Sequence, residues 1–228
     1  MEHAIGSGRF RDLTVEAFVE RLASSEPVPG GGSASAIAGS LGAALVAMVA
    51  GLSEGRERYA AHTATHAEAA TLGRRLADRF LALADEDAAA YVVFAATLKL
   101  PRGTDDEKAA RTEALRSAAR VAAEVPLACV EACLELVSAT EALAGRSNRN
   151  ASSDLSVASY LAEAAARGAA ANVLVNLPSV GDGSYAAQVT DRIAALLGRI
   201  ESLAGATREV VRAGIERDPL PAGGLLRA

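Results

Sequence analysis

Between Ser33 and Ser53 the chain carries no charged residue, and Ser35, Gly39, Ala43, Ala47 and Gly51 place a small residue at every fourth position. Four residues is close to one helical turn, so these five form a ridge without bulk, while Ile37, Leu41, Leu45, Met48, Val49 and Leu52 supply apolar volume around the rest. The length, about 20 residues, matches a bilayer crossing. The ridge points instead to a central helix enclosed by close neighbours in a soluble bundle or dimer.

The remaining pattern is helical almost throughout, with apolar residues at three- and four-residue steps and no alternating β-branched run long enough for a sheet. Aromatics are only 4% of the 228 residues, tryptophan is absent, and alanine dominates the apolar class, which suits closely packed helices. The expected fold is therefore all-α: a bundle of long helices, dimerising through helix packing. We read residues 1–228 as a single domain with a core of about 11–216.

A short first helix opens at Leu13–Ala17 with Thr14 as its cap, and the apolar helix runs from Ala34 to Ser53. A long helix follows over about Ala60–Thr97, ended by Pro101-Arg102-Gly103. Thr104 and Glu107 form a capping box for a helix toward Ala144, which Pro126 is expected to kink or divide. Two more are expected over Ser152–Asn172 and about Tyr185–Ile215, with Pro219 and Pro221 in a loose C-terminal tail.

A net charge of -5 gives no broad basic surface, which argues against nucleic acid and against a membrane surface as partners. Cys129 and Cys133, the only cysteines, read as buried hydrophobes in a reducing compartment. The first residues lack a basic segment followed by an apolar one, so no secretory signal is read and a cytoplasmic location is expected. His62 and His66 have the spacing of a metal-binding pair, but no acidic residue completes a hydrolase motif, so no metal is expected.

Four polar constellations stand out. Pro27-Val28-Pro29-Gly30-Gly31-Gly32-Ser33 is rigid, then permissive: the glycines leave bare backbone, and the helix start behind them offers unpaired N–H groups to an anionic or carbonyl-rich ligand. In Asp85-Glu86-Asp87-Ala88-Ala89-Ala90-Tyr91, Asp87 and Tyr91 share a helix face, beside Leu83 and Phe94, and a carboxylate on a buried face can act as a base. Asp85 and Glu86 read as solvated. Arg146–Asp154 is dense in hydrogen-bonding groups suited to a heterocycle, and Asn172 and Asn176 are buried amides in need of partners. Each has a plainer reading: a tight turn for the glycines, N-capping for Ser152 and Asp154, C-capping for Asn172 and Asn176.

Taken in order, these stretches resemble the cyclodeaminase/cyclohydrolase family, which comprises the C-terminal domain of formiminotransferase-cyclodeaminase and free-standing methenyltetrahydrofolate cyclohydrolases. The likeness begins at Leu13–Phe18, takes in Pro27–Ser33, Met48–Ala50, Glu86–Tyr91 and Leu100–Arg102, and continues through Val125–Leu127, Asn148–Asp154 and Asn172–Leu177. Two positions depart from it. Relatives often carry Lys-Gly-Asn where this chain has Arg146-Ser147-Asn148, and asparagine where it has Gly51.

The resemblance implies an all-helical dimer that handles folate bridged by a one-carbon unit between N5 and N10, with no cofactor beyond the folate substrate. It implies hydrolysis of 5,10-methenyltetrahydrofolate to 10-formyltetrahydrofolate, or cyclisation of 5-formiminotetrahydrofolate with loss of ammonia. A helical scaffold without catalysis is the third reading. Asp87 and Asp154 are the candidate catalytic carboxylates, facing the cationic bridge. Gly30, Gly31, Gly32, Ser33, Tyr91, Asn148, Asn150, Asn172 and Asn176 are candidates for substrate contact. Lys99 and Arg102 are candidates for the glutamate tail, which carries one or more glutamates. The lack of a formiminotransferase domain in this sequence tilts the expectation toward the cyclohydrolase.

Overall fold

A computed structural model describes residues 8–221. Six α-helices carry the fold: α1 (Val15–Leu22), α2 (Gly31–Gly51), α3 (Thr63–Thr97), α4 (Asp105–Leu143), α5 (Ser152–Val180) and α6 (Gly183–Ala213), with single 3-10 turns at Phe10–Asp12, Glu57–His62 and Arg149–Ala151. The expected caps form. Thr14 Oγ1 accepts from the Ala17 N–H at 3.1 Å. Thr104 and Glu107 close a reciprocal capping box.

The boundaries differ from those expected in three places, each for a local chemical reason. Gly30 is the N-cap of α2, so Gly31, Gly32 and Ser33 form its first turn rather than a loop ahead of Ala34. α4 runs unbroken through Pro126. A proline leaves the carbonyl four residues back without its helical donor; here that carbonyl, Ala122 O, accepts from Asn176 Nδ2 at 2.9 Å. α5 continues past Asn172 to Val180 and stops at Gly181, whose φ of 70° favours glycine. Asn172 and Asn176 are therefore mid-helix residues, not C-caps.

α2 lies against α3, α4 and α5, and its small residues permit close approach. A Cβ on Gly39 would come 2.7 Å from the Phe80 ring, and one on Gly73 of α3 would come 2.8 Å from both Ala43 O and Ala47 N. The helix is long and apolar enough to cross a membrane by composition, yet half of that apolar window is buried in the bundle. Enclosure is incomplete. Leu41 (57% exposed), Met48 and Leu52 of α2 are open to solvent, as are Val157 and Tyr160 (59%) of α5, and no helix among the described residues covers them.

The C-terminal segment is not loose as far as it is described. The Arg217 N–H donates to Gly145 O at 3.0 Å, Arg146 Nε donates to Asp218 O at 2.6 Å, and Leu220 packs on the core. Pro219 and Pro221 lie outside helix as expected. Residues 222–228 of the expected tail lie outside the described residues. Cys129 and Cys133 are buried and unpaired, and burial pushes the Cys133 thiol up.

Candidate active site

Where α2 begins, the first-turn N–H groups have no helical acceptors, and a carboxylate is favoured there by hydrogen bonding and by the helix dipole. Asp87, from the middle of α3, fills that position. Ser33 Oγ lies 3.0 Å from Asp87 Oδ2 and 3.0 Å from Ala84 O. A hydroxyl has one proton, so it donates to the ionised Asp87, or donates to Ala84 O while accepting from a protonated Asp87. Both protonation states are accommodated without moving a heavy atom.

Burial pushes the Asp87 carboxyl above its usual range, and the Ser33 hydroxyl and backbone only partly offset this. The seat also requires glycine. A Cβ on Gly32 would lie 2.5 Å from Asp87 Cγ and 2.7 Å from Oδ2, and one on Gly31 would lie 3.5 Å from Asn172 Nδ2.

Around this carboxylate is an open cavity of about 260 Å³ lined by Pro27, Val28, Gly30, Gly31, Gly32, Asp87, Tyr91, Phe94, Ala122, Asn172, Val175 and Asn176. The glycine stretch, Asp87 with Tyr91, and the two asparagines are thus brought together as expected. Asn172 Nδ2 donates to Gly168 O at 2.8 Å, while Asn176 Nδ2 serves both Ala122 O and Asn172 O at 2.9 Å. Neither amide oxygen has a partner among the described residues, which leaves two acceptors at the cavity.

Asp154, Asn148 and Asn150 are not at this cavity. Asp154 is in the first turn of α5, eighteen residues before Asn172, or about 27 Å along the helix at the usual rise. Asn148 is engaged within the chain: its Nδ2 donates to Leu52 O at 3.3 Å and its Oδ1 accepts from the Asn150 N–H at 3.1 Å, which fastens the end of α2. Asn150 is exposed. Arg146 is likewise absorbed, donating to Asp218 O and to Ala142 O. The cap of α5 is Ala151 with no side-chain bond, so neither Ser152 nor Asp154 caps it. Lys99 and Arg102 are exposed beyond α3, at the Asp87 end of the bundle, but do not line the cavity.

Residues 14–195 match the family model described as formiminotransferase-cyclodeaminase. The chain belongs to that family. Among its relatives is a methenyltetrahydrofolate cyclohydrolase of Methylorubrum extorquens, 36% identical over 89% of this chain and 97% of the relative. A formimidoyltransferase-cyclodeaminase of Sus scrofa is 36% identical over 80% of this chain, but over only 34% of its own length. The fold matches that of a formiminotetrahydrofolate cyclodeaminase from Thermotoga maritima, with a TM-score of 0.81, 23% identity, and coverage of 89% of this chain and 98% of that one.

Within this family member, five lining residues were not among the candidates for substrate contact or catalysis: Pro27, Val28, Phe94, Ala122 and Val175. Phe94 is seven residues past Asp87, two turns along the same face, and that spacing could have found it. Nothing in the sequence marks Ala122. Asp85, read as solvated, is half-buried and accepts from the Phe10 N–H at 2.8 Å, while the exposed Glu86 pairs with Arg79 at 2.6 Å. No group of three or more His, Cys, Asp or Glu side chains among the described residues could hold a metal ion.

Proposed function

We propose that the Asp87 cavity hydrolyses 5,10-methenyltetrahydrofolate to 10-formyltetrahydrofolate. The observation that carries this reading is a raised-pKa carboxylate seated on bare helix backbone, with a hydroxyl that serves both of its protonation states. The methenyl bridge is an amidinium-like cation. An ionised Asp87 attracts it and takes a proton from the attacking water, forming a neutral tetrahedral carbinol. As the C–N5 bond breaks, Asp87 returns a proton to N5, and the carbinol proton leaves to solvent as the formyl C=O forms. One proton is released per turnover.

Asn172 and Asn176 offer their amide oxygens to the N–H groups of the pterin edge, Tyr91 and Phe94 flank the ring system, and the Gly30–Gly32 backbone lies against it, while the buried Ser33 acts through Asp87 rather than by touching the ligand. Lys99 and Arg102, at the same end of the bundle, meet the glutamate tail. No cofactor beyond the folate takes part in these steps. Likeness over nearly the full length of a free-standing cyclohydrolase favours hydrolysis. Cyclisation of 5-formiminotetrahydrofolate with loss of ammonia needs the same carboxyl as an acid toward the departing nitrogen, and is the second reading.

The protein works as a cytoplasmic homodimer in this proposal. The open face of Leu41, Met48, Leu52, Val157 and Tyr160 is covered by a second copy. α2 runs from the Asp87 end to the Asn148 end, so a two-fold axis perpendicular to it sets the partner's Asp154 end opposite this chain's cavity. Asp154 then acts across the interface. The test of hydrolysis is the near-ultraviolet absorbance of methenyltetrahydrofolate, which purified protein makes decay faster than its spontaneous rate. Decay at the spontaneous rate removes the proposal, and ammonia release from formiminotetrahydrofolate selects the second reading.

A further inference from the structure

At the far end of α5 from the Asp87 cavity is a second cavity, of about 250 Å³, whose charge is of the opposite kind. Arg58, Arg149, Arg212 and Arg217 line it, with Glu216 as the one lining carboxylate among the described residues. Glu216 is held by Arg58, and Arg217 is paired with Glu141 at 2.6 Å. The guanidiniums of Arg149 and Arg212 have no carboxylate partner among the described residues. Two guanidiniums at the wall are therefore left without an ion-pair partner among the described residues.

Two further donors point the same way. Ser152, in the first turn of α5, lines the cavity and brings its hydroxyl to it, while its N–H is already donated to Arg149 O. His62 also lines it, and its Nδ1 is buried without a hydrogen-bond partner among the described residues. Burial, with His66 and Arg146 nearby, holds the His62 imidazole below its usual range, so near neutral pH it is a neutral ring rather than another fixed charge. Val210 and Val211 complete the lining with apolar surface, and the Arg149 N–H donates to Tyr59 Oη at 3.0 Å, which fixes the approach of the two segments.

We propose that this cavity is a second binding site, taking the phosphate or carboxylate groups of a small polyanion between Arg149, Arg212, Ser152 and His62. Planar guanidiniums bind either oxyanion in a forked, charge-assisted way, and a buried nitrogen without a protein partner gains a hydrogen bond when such a ligand enters. Within one chain the site is about 30 Å from the Asp87 cavity along α5, twenty residues from Ser152 to Asn172, so its ligand is bound apart from that chain's own Asp87.

The test uses the full chain with two probes, inorganic pyrophosphate and γ-linked triglutamate, titrated by calorimetry at low ionic strength. The ring resonances of His62 are followed in parallel by NMR and assigned with His62→Gln. Saturable binding of at least one probe is expected, with a shift of the His62 resonances and no change in Asp87→Asn. Affinity should fall by about tenfold or more in Arg149→Gln and in Arg212→Gln, each of which removes a charged hydrogen-bond donor. Both arginines are exposed, and retained helical circular dichroism confirms that the fold is intact. Preference for pyrophosphate identifies a phosphate ligand, and preference for triglutamate a carboxylate chain. No saturable binding of either probe, or unchanged affinity in both arginine variants, overturns the proposal.

Discussion

Asp87 occupies the space that a side chain at Gly32 would fill: a Cβ there would lie 2.5 Å from the carboxylate carbon. The glycine stretch is therefore more than a flexible approach to a helix. Its middle residue is the seat of the acid. Gly32→Ala must push Asp87 away from Ser33 and from the α2 N-terminus. Misplacing a reacting group by about 1 Å costs on the order of 10²-fold in rate, so kcat should fall by about that much while far-ultraviolet circular dichroism stays helical. Gly31→Ala, whose Cβ meets only Asn172 Nδ2 at 3.5 Å, should be much milder.

Asp87 lowers the stability of the protein it serves. Its folded pKa is raised by burial, so the unfolded chain ionises first as pH rises. The resulting loss is absent below the unfolded carboxylate range and complete above the folded pKa. Asp87→Asn should accordingly raise the melting temperature at pH 7 and leave it nearly unchanged in acid. Ser33→Ala removes a bond that favours the ionised form, so the acid limb of kcat/KM should move to higher pH. A shift to lower pH would contradict the account of Ser33.

Asn176 compensates for a proline. Pro126 has no N–H for Ala122 O, and Asn176 Nδ2 supplies the donor from the neighbouring helix. Asn176→Ala should cost about 1–3 kcal/mol in denaturant unfolding by leaving that carbonyl unpaired. Pro126→Ala restores a backbone donor to it, so in the double variant the loss should be largely recovered. Additive losses in the double-mutant cycle would contradict this coupling.

The proposed dimer makes Asp87 of one copy and Asp154 of the other parts of one site. Inactive Asp87→Asn and Asp154→Asn proteins, unfolded together and refolded as a mixture, should then regain about a quarter of wild-type activity, since half the dimers are mixed and each has one intact site. No recovery, or full activity in Asp154→Asn alone, would leave Asp154 without a catalytic part.

The helices were legible because their signals are local: Thr14, the Thr104–Glu107 box and the small-residue ridge of α2 from Ser35 to Ala47 behave as their spacing implies, whereas Gly51 at the end of that ridge is exposed with no close neighbour among the described residues. One half of the site was legible for a related reason. Gly32, Asp87, Asn172 and Asn176 are uncommon residue types on alanine-rich helices, and three long helices bring them together. What the sequence did not reveal was distance. Asp154 and Asn172 are on one helix, and only its true extent shows that they stand at opposite ends. Nor does sequence spacing reveal partners across helices, so Pro126 looked like a break until Asn176 was seen to satisfy Ala122 O, and Asn148 looked like a ligand residue until its amide was found holding Leu52.

The central claim is that Asp87 opens the one-carbon bridge. Initial rates of methenyltetrahydrofolate loss, followed by absorbance for the wild-type protein and Asp87→Asn side by side, test it most directly. The wild type should exceed the spontaneous rate, and the variant should lose about 10²- to 10⁴-fold of that excess, the usual contribution of a positioned acid–base group. Equal rates in the two proteins, or no excess in the wild type, would contradict it.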